Sequence, residues 1–86
     1  MYRYLIESPH KPEDCDNIIQ EVENAGYLHF FDWGCHEGVH TGWAVVEAES
    51  VEHARQIVPW MVRPEARIVK VEKFGDQDTI HPHKAR

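Results

Sequence analysis

The sequence predicts an α+β domain whose elements follow the order β-α-β-β-α-β. Three observations support this prediction. Segments with strand-like alternation lie near both ends of residues 1–74. Two further strand-like segments in the middle are joined by a loop of five residues. Between the strands lie two segments whose apolar residues recur at spacings of three and four, which is typical of amphipathic helices. A chain of 86 residues is long enough for one such domain.

The first half of the chain carries one strand and one helix. Residues 2–7 alternate and are rich in strand formers, which predicts the first strand. Pro12 suits the first position of a helix, and Gly26 is expected to end that helix. Cys15 lies on the apolar stripe of this helix, so we expect it to be a small core residue.

The second half carries a hairpin, a helix and a last strand. Residues 27–33 and 39–48 are predicted strands, and the loop 34–38 between them is short enough to form an antiparallel hairpin. Ser50 is a good N-cap for a second helix, whose apolar face is expected to run from Val51 to Met61. Pro59 is expected to break or kink this helix near its end. The remaining alternating segment, residues 66–74, is the predicted fourth strand.

This order of elements has a specific expected topology. With right-handed crossovers it gives the ferredoxin-like arrangement, a four-stranded antiparallel sheet of order 4-1-3-2 with both helices on one face. The domain is predicted to span residues 1–74. Residues 75–86 are mostly polar and are expected to form a flexible C-terminal tail.

The second face of the predicted sheet combines apolar and charged side chains. No helix remains to cover it, so we expect a symmetric homodimer that pairs two such faces. Alternation assigns the following residues to this open face: Arg3, Leu5, Glu7, His29, Phe31, Trp33, Thr41, Trp43, Val45, Glu47, Ile68, Lys70 and Glu72.

The layout of residues 1–74 resembles the dimeric α+β barrel superfamily. Within it, residues 42–50, followed by Ala54, Arg55 and Pro59, resemble small bacterial domains of unknown function in that group. The resemblance implies a barrel-like dimer with a cavity between the two sheets. Relatives in the group include muconolactone isomerases, small monooxygenases, haem-degrading enzymes and ligand-sensing domains, and the fold does not choose among them.

A small-molecule site in the inter-sheet cavity is the first functional hypothesis. His29 and Glu47 are its candidate catalytic residues, and His29 suits acid–base chemistry because its ordinary pKa lies near neutrality. Such barrels can act without a cofactor as isomerases or monooxygenases, so none is required. The alternative is that these side chains only pack the dimer seam, and the sequence does not decide whether the chain is an enzyme. Candidate ligand-binding residues are Arg3, Glu7, Phe31, Trp33, Trp43 and Lys70.

A transition-metal site at the hairpin is the second hypothesis. Cys35, His36 and His40 lie within six residues, and Asp32 is expected to face His40 across the strands. Thiolate, imidazole and carboxylate suit Zn²⁺, and imidazole also suits Ni²⁺ or Cu²⁺. The topology is also expected to bring His10, Trp60 and Arg63 to the same end of the sheet. The spacing matches no known zinc motif, so the alternative is that these are solvated loop side chains.

Composition excludes several other classes. The formal net charge of −6 argues against nucleic-acid binding, which needs a basic face. No apolar run approaches the length of a membrane span, and no signal peptide is visible, so we expect a cytoplasmic protein. A third hypothesis is a protein-interaction module that docks a partner through its open sheet face or its tail.

Overall fold

A computed structural model describes residues 1–74 of the chain. Its sheet contains β1 (Tyr2–Pro9), β2 (Phe31–Trp33), β3 (Thr41–Ala48) and β4 (Arg67–Val71). All neighbouring strands are antiparallel, and the order is β2-β3-β1-β4. The same neighbours read 4-1-3-2 when they are counted from the β4 edge. The predicted α+β class with a four-stranded antiparallel sheet is confirmed.

Two α-helices connect the strands, and both are shorter than the sequence pattern suggests. Helix α1 spans Cys15–Asn24 and α2 spans Val51–Arg55. The Ser50 hydroxyl accepts a hydrogen bond of 3.1 Å from the backbone N–H of His53, which confirms the predicted N-cap. Helix α2 ends before Pro59, where a break was expected, but it ends at Arg55 and is shorter than the apolar pattern to Met61 predicts. Short 3₁₀ turns complete the chain, at Pro12–Asp14, Leu28–Phe30, Cys35–Glu37 and Trp60–Glu65.

The core lies between one face of the sheet and the two helices. Ile18 and Val22 of α1 and Ala54 of α2 are buried there, in one cluster with side chains of β1 and β3. The remaining buried apolar residues come from all the strands except β4 and from the segment after α2: Tyr4, Ile6, Phe31, Ala44, Val46, Ala48, Val58, Val62 and Ala66.

The second strand differs from its prediction in length and register. Leu28–Phe30 form a 3₁₀ turn, and the N–H of Phe30 donates to the carbonyl of Tyr27, the N-cap residue, at 3.0 Å. Phe31 pairs with the buried Ala44 and is itself only 7 % exposed. Phe31 and Trp33 therefore lie on the helix side of the sheet, and their assignment to the open face is wrong. A shift of one residue exchanges the two faces of a strand.

The fourth strand shows the same exchange. Ile68 pairs with Ile6, and Lys70 pairs with Tyr4, so both side chains lie on the helix side. At the end of the strand, the Lys70 ammonium sits 4.0 Å above the ring of Tyr2. Val69 takes the open-face position that was predicted for Ile68, and the predictions for Ile68 and Lys70 are wrong.

The open face of the described sheet still combines apolar and charged side chains after these corrections. The helices pack on the opposite face, and the charged side chains here include a loose pair, Arg67 and Glu7, whose closest atoms are 3.9 Å apart. Its apolar side chains are Leu5, Trp43, Val45, Val69 and Val71.

Candidate metal centre

Four potential metal ligands meet at the end of the sheet where β1 finishes. They are His10, Cys15, Cys35 and His40. In residues 1–74, these are the His, Cys, Asp or Glu side chains that cluster closely enough to hold one ion. Each offers one ligand atom, and these four atoms all lie within 4.8 Å of one another. All four side chains are partly buried.

The four residues of the cluster lie on the segments that connect β1 to α1 and β2 to β3. His10 follows β1, and its N–H donates to the carbonyl of His40 at 3.0 Å, which extends the pairing of β1 with β3 beyond Thr41. The turn that ends at Asp14 then leads into Cys15, the first residue of α1. Cys35 begins the 3₁₀ turn between β2 and β3. The cluster therefore joins both ends of the hairpin loop to the connection between β1 and α1.

Gly34 allows this hairpin loop to close. Its N–H donates to the carbonyl of Thr41 at 3.1 Å, and its own carbonyl accepts from the N–H of Val39 at 3.0 Å. A Cβ atom at this position would lie 2.8 Å from the Val39 carbonyl oxygen and 2.9 Å from the Trp43 ring. The loop ends at Gly38, whose φ of +81° is in the region that favours glycine.

We expect Gly34→Ala to lower the free energy of unfolding by about 1–3 kcal/mol, which is the usual cost of forcing extra atoms into a packed site. The substitution should also weaken any binding at Cys35, because the loop must shift to accommodate the methyl group. Chemical denaturation measures the loss. Gly38→Asn is the matched control, because asparagine tolerates positive φ and nothing lies within 4 Å of its Cβ position. Equal losses in both variants would contradict the steric explanation.

The two thiols and one imidazole of the cluster are in direct contact. The Cys15 thiol donates to Cys35 Sγ at 3.0 Å, and His10 Nε2 lies 3.6 Å from the same sulfur atom. The hydrogen bond to Cys35, followed by burial, raises the pKa of Cys15 to about 11. Burial and then the charge of His40 lower the pKa of His10, and they outweigh the opposing effects of Asp14 and of the Ser8 backbone. Without a cation, the surroundings therefore favour uncharged forms of Cys15 and His10.

Two ring nitrogens of the cluster lack hydrogen-bond partners. Nδ1 of His10 and Nδ1 of His40 are both buried and make no hydrogen bond within the described chain. The two rings face each other edge to face, with centroids 5.9 Å apart. Leaving a buried polar atom unpaired costs about 1–3 kcal/mol. In His10 the unpaired Nδ1 is not the atom that contacts a thiol, because Nε2 is the nitrogen that lies 3.6 Å from Cys35 Sγ.

The structure groups the predicted hairpin ligands differently from the sequence. Cys35 and His40 belong to the cluster, whereas His36 is exposed and lies outside it. Asp32 is also exposed and pairs with Trp43, not with His40 as expected. Cys15 takes part although it was expected to be a core residue. The sequence feature that could have indicated this role of Cys15 is its position at the start of the apolar stripe of α1. This position lies at the end of the sheet that also holds His10.

The residues predicted for a small-molecule site lie in several separate places. His29 belongs to the 3₁₀ turn before β2, where it is exposed and its ring centroid lies 4.2 Å from that of Phe30. Glu47 pairs with Arg3 on the open face, and Trp43 pairs with Glu7 there. The other three, Phe31, Trp33 and Lys70, lie on the helix side. Binding of a small molecule at the open face stays a prediction.

Comparison with protein-family models, curated proteins and solved structures gives no match for this chain. Among residues 1–74, no helix has both the length and the apolar character needed to cross a membrane.

Proposed function

We propose that this protein binds one Zn²⁺ ion per chain through His10, Cys15, Cys35 and His40. The observation that carries the proposal is the convergence of these four side chains, whose ligand atoms all lie within 4.8 Å of one another. Two thiolates and two imidazoles form a common tetrahedral zinc set. The soft sulfur ligands favour Zn²⁺ over metals that prefer oxygen, such as Mg²⁺ and Ca²⁺.

The number of ligands suggests what the ion does. Catalytic zinc sites keep a position open for water or substrate, whereas four protein ligands fill a tetrahedral site. Zn²⁺ bound in this way would join the β1–α1 connection to the hairpin loop. Since Cys15 must lose its proton on binding, occupancy would fall as the pH falls. The proposed function is therefore a structural or metal-responsive zinc site.

Metal binding is best tested on protein purified without an affinity tag and kept reduced. Native mass spectrometry gives the number of ions per chain, and competition with a chromophoric chelator gives the affinity. Co²⁺ serves as a spectroscopic substitute, because thiolate ligation produces a sulfur-to-cobalt charge-transfer band. We expect one ion per chain and a cobalt spectrum typical of tetrahedral coordination with sulfur ligands.

Substitutions identify the ligands. Cys15→Ser and Cys35→Ser should each weaken Zn²⁺ binding more than about 100-fold, since removing even an outer partner of a ligand costs 10–100-fold. His36→Ala is the matched control, because His36 is an exposed histidine next to Cys35 and lies outside the cluster. Retained affinity in Cys15→Ser, or loss in His36→Ala, would contradict the proposed ligand set.

We also propose that the domain has the ferredoxin-like arrangement and pairs through its open face with a second copy. Both helices contribute to a core on one side of the sheet, which supports the first proposal. Trp43 and Val45 lie on the other side, and Val45 is 46 % exposed, which supports the second. The same mass spectra report the number of subunits, and a monomer at micromolar concentration would contradict the dimer.

A further inference from the structure

The two cysteines of the cluster are close enough to react with each other. Their Sγ atoms are 3.0 Å apart, and a disulfide bond needs about 2.0 Å. Both are free cysteines, and neither residue is fully buried. They are the only two cysteines in the chain, so neither has another cysteine with which it could form an intramolecular disulfide.

We propose that Cys15 and Cys35 form a reversible disulfide, and that forming it releases the metal ion. The disulfide depends only on the contact between the two thiols, whereas the release of metal rests on the proposed function. Both sulfur atoms are proposed ligands, so oxidation removes half of the ligand set at once. The two remaining imidazoles, His10 and His40, would not hold Zn²⁺ tightly.

The proposed reaction is thiol–disulfide exchange with a low-molecular-weight disulfide as oxidant. The Cys35 thiolate attacks one sulfur atom of the oxidant and expels the other as a thiolate, which leaves a mixed disulfide on Cys35. The Cys15 thiolate then attacks Cys35 Sγ and expels the second thiolate. The protein loses two electrons and two protons, and the oxidant gains both as two thiols. A dithiol reductant reverses the reaction.

The fold favours the second step over persistent mixed disulfides and over cross-links between chains. Cys15 starts α1 and Cys35 starts a separate turn 20 residues later, yet the folded chain holds their sulfur atoms in contact. The mixed disulfide on Cys35 therefore forms next to the thiol that resolves it. Folding brings the pair to an effective concentration that the unfolded chain does not reach. A bound ion should slow formation of the disulfide, since it occupies both thiolates.

Oxidised glutathione is the probe we would use, first on the reduced, metal-free protein. Peptide mapping should show complete conversion to the Cys15–Cys35 disulfide, with a mass loss of two hydrogen atoms and no retained glutathione. Cys15→Ser should stop at the mixed disulfide on Cys35. Denaturant should shift the wild-type product toward mixed disulfides, because it separates the two thiols. Persistent mixed disulfides or cross-linked chains in the folded wild-type protein would overturn the redox pair.

The zinc-loaded protein tests the second part of the proposal. A chromophoric chelator should report release of one Zn²⁺ per chain in step with the loss of thiols, and a dithiol reductant should restore binding. If the disulfide forms while the ion stays bound, metal release by oxidation is wrong. If the reduced protein binds no zinc but still forms the disulfide, the proposed function fails while the redox pair stands.

Discussion

Zn²⁺ added to the reduced, metal-free protein is expected to raise its unfolding temperature by roughly 15–30 °C. When free metal exceeds Kd a thousandfold, binding to the folded state adds about 4 kcal/mol to the free energy of unfolding. In a domain of this size each kcal/mol raises Tm by about 4–8 °C. Without the ion, a few hydrogen bonds connect these loops in the described chain, such as the one between His10 and His40. The increase should be large because the ion would add a direct link between the loops. Differential scanning calorimetry measures it.

Three controls separate specific binding from general salt effects. Cys35→Ser should show little increase in Tm, and His36→Ala should show the full increase. Mg²⁺ should have no effect, because sulfur and imidazole are poor ligands for it. An equal increase in Cys35→Ser and in the wild type would mean that zinc binds elsewhere, and the cluster would then lose its assigned role.

Ile6→Ala is expected to lower the free energy of unfolding by about 2–5 kcal/mol, even without metal. Ile6 is fully buried at 0 % exposure and lies on the strand between β3 and β4. Its partners across the sheet are Ala44 and Ile68, and a truncated side chain leaves a cavity that these neighbours fill only in part. Small domains have total stabilities of about 5–15 kcal/mol, so the loss is a large fraction of the whole.

Urea denaturation followed by tryptophan fluorescence measures this loss. Val39→Ala in the hairpin loop is the matched control, because Val39 is 48 % exposed and its truncation should change stability by less than about 0.5 kcal/mol. A loss below 1 kcal/mol for Ile6→Ala would place Ile6 outside the packed core and would contradict the sheet register described above.

The fold class could be predicted from the sequence because periodicity depends on local chemistry. Alternation in residues 2–7 and 41–48 reflects a real difference between the two sides of β1 and β3. The register of β2 could not be predicted. Tyr27, Phe30 and Phe31 all favour strands, yet the hydrogen bond from Phe30 to Tyr27 makes the first two part of a turn. That choice depends on packing beyond the neighbouring residues.

The cluster of potential metal ligands could be predicted only in part for a related reason. Cys35 and His40 are close in sequence, so their proximity is a local property of the hairpin. Cys15 fits the apolar spacing of α1, and spacing alone cannot separate a core cysteine from one at the end of the stripe. Only the three-dimensional arrangement shows that Cys15 Sγ reaches Cys35 Sγ. Ligands drawn from distant segments carry no spacing motif.

The central position of β1 has a consequence for how the chain matures during synthesis. β1 pairs with β3 on one edge and with β4 on the other, and both partners follow it along the chain. While the ribosome makes residues 10–40, the hydrogen-bonding groups of β1 have no strand to pair with, which leaves an edge open to other chains. Pairing with β3 closes one side, and β4 closes the other only after Val71 has emerged. All four proposed ligands precede β3, so the nascent chain carries the complete proposed ligand set before its sheet can form.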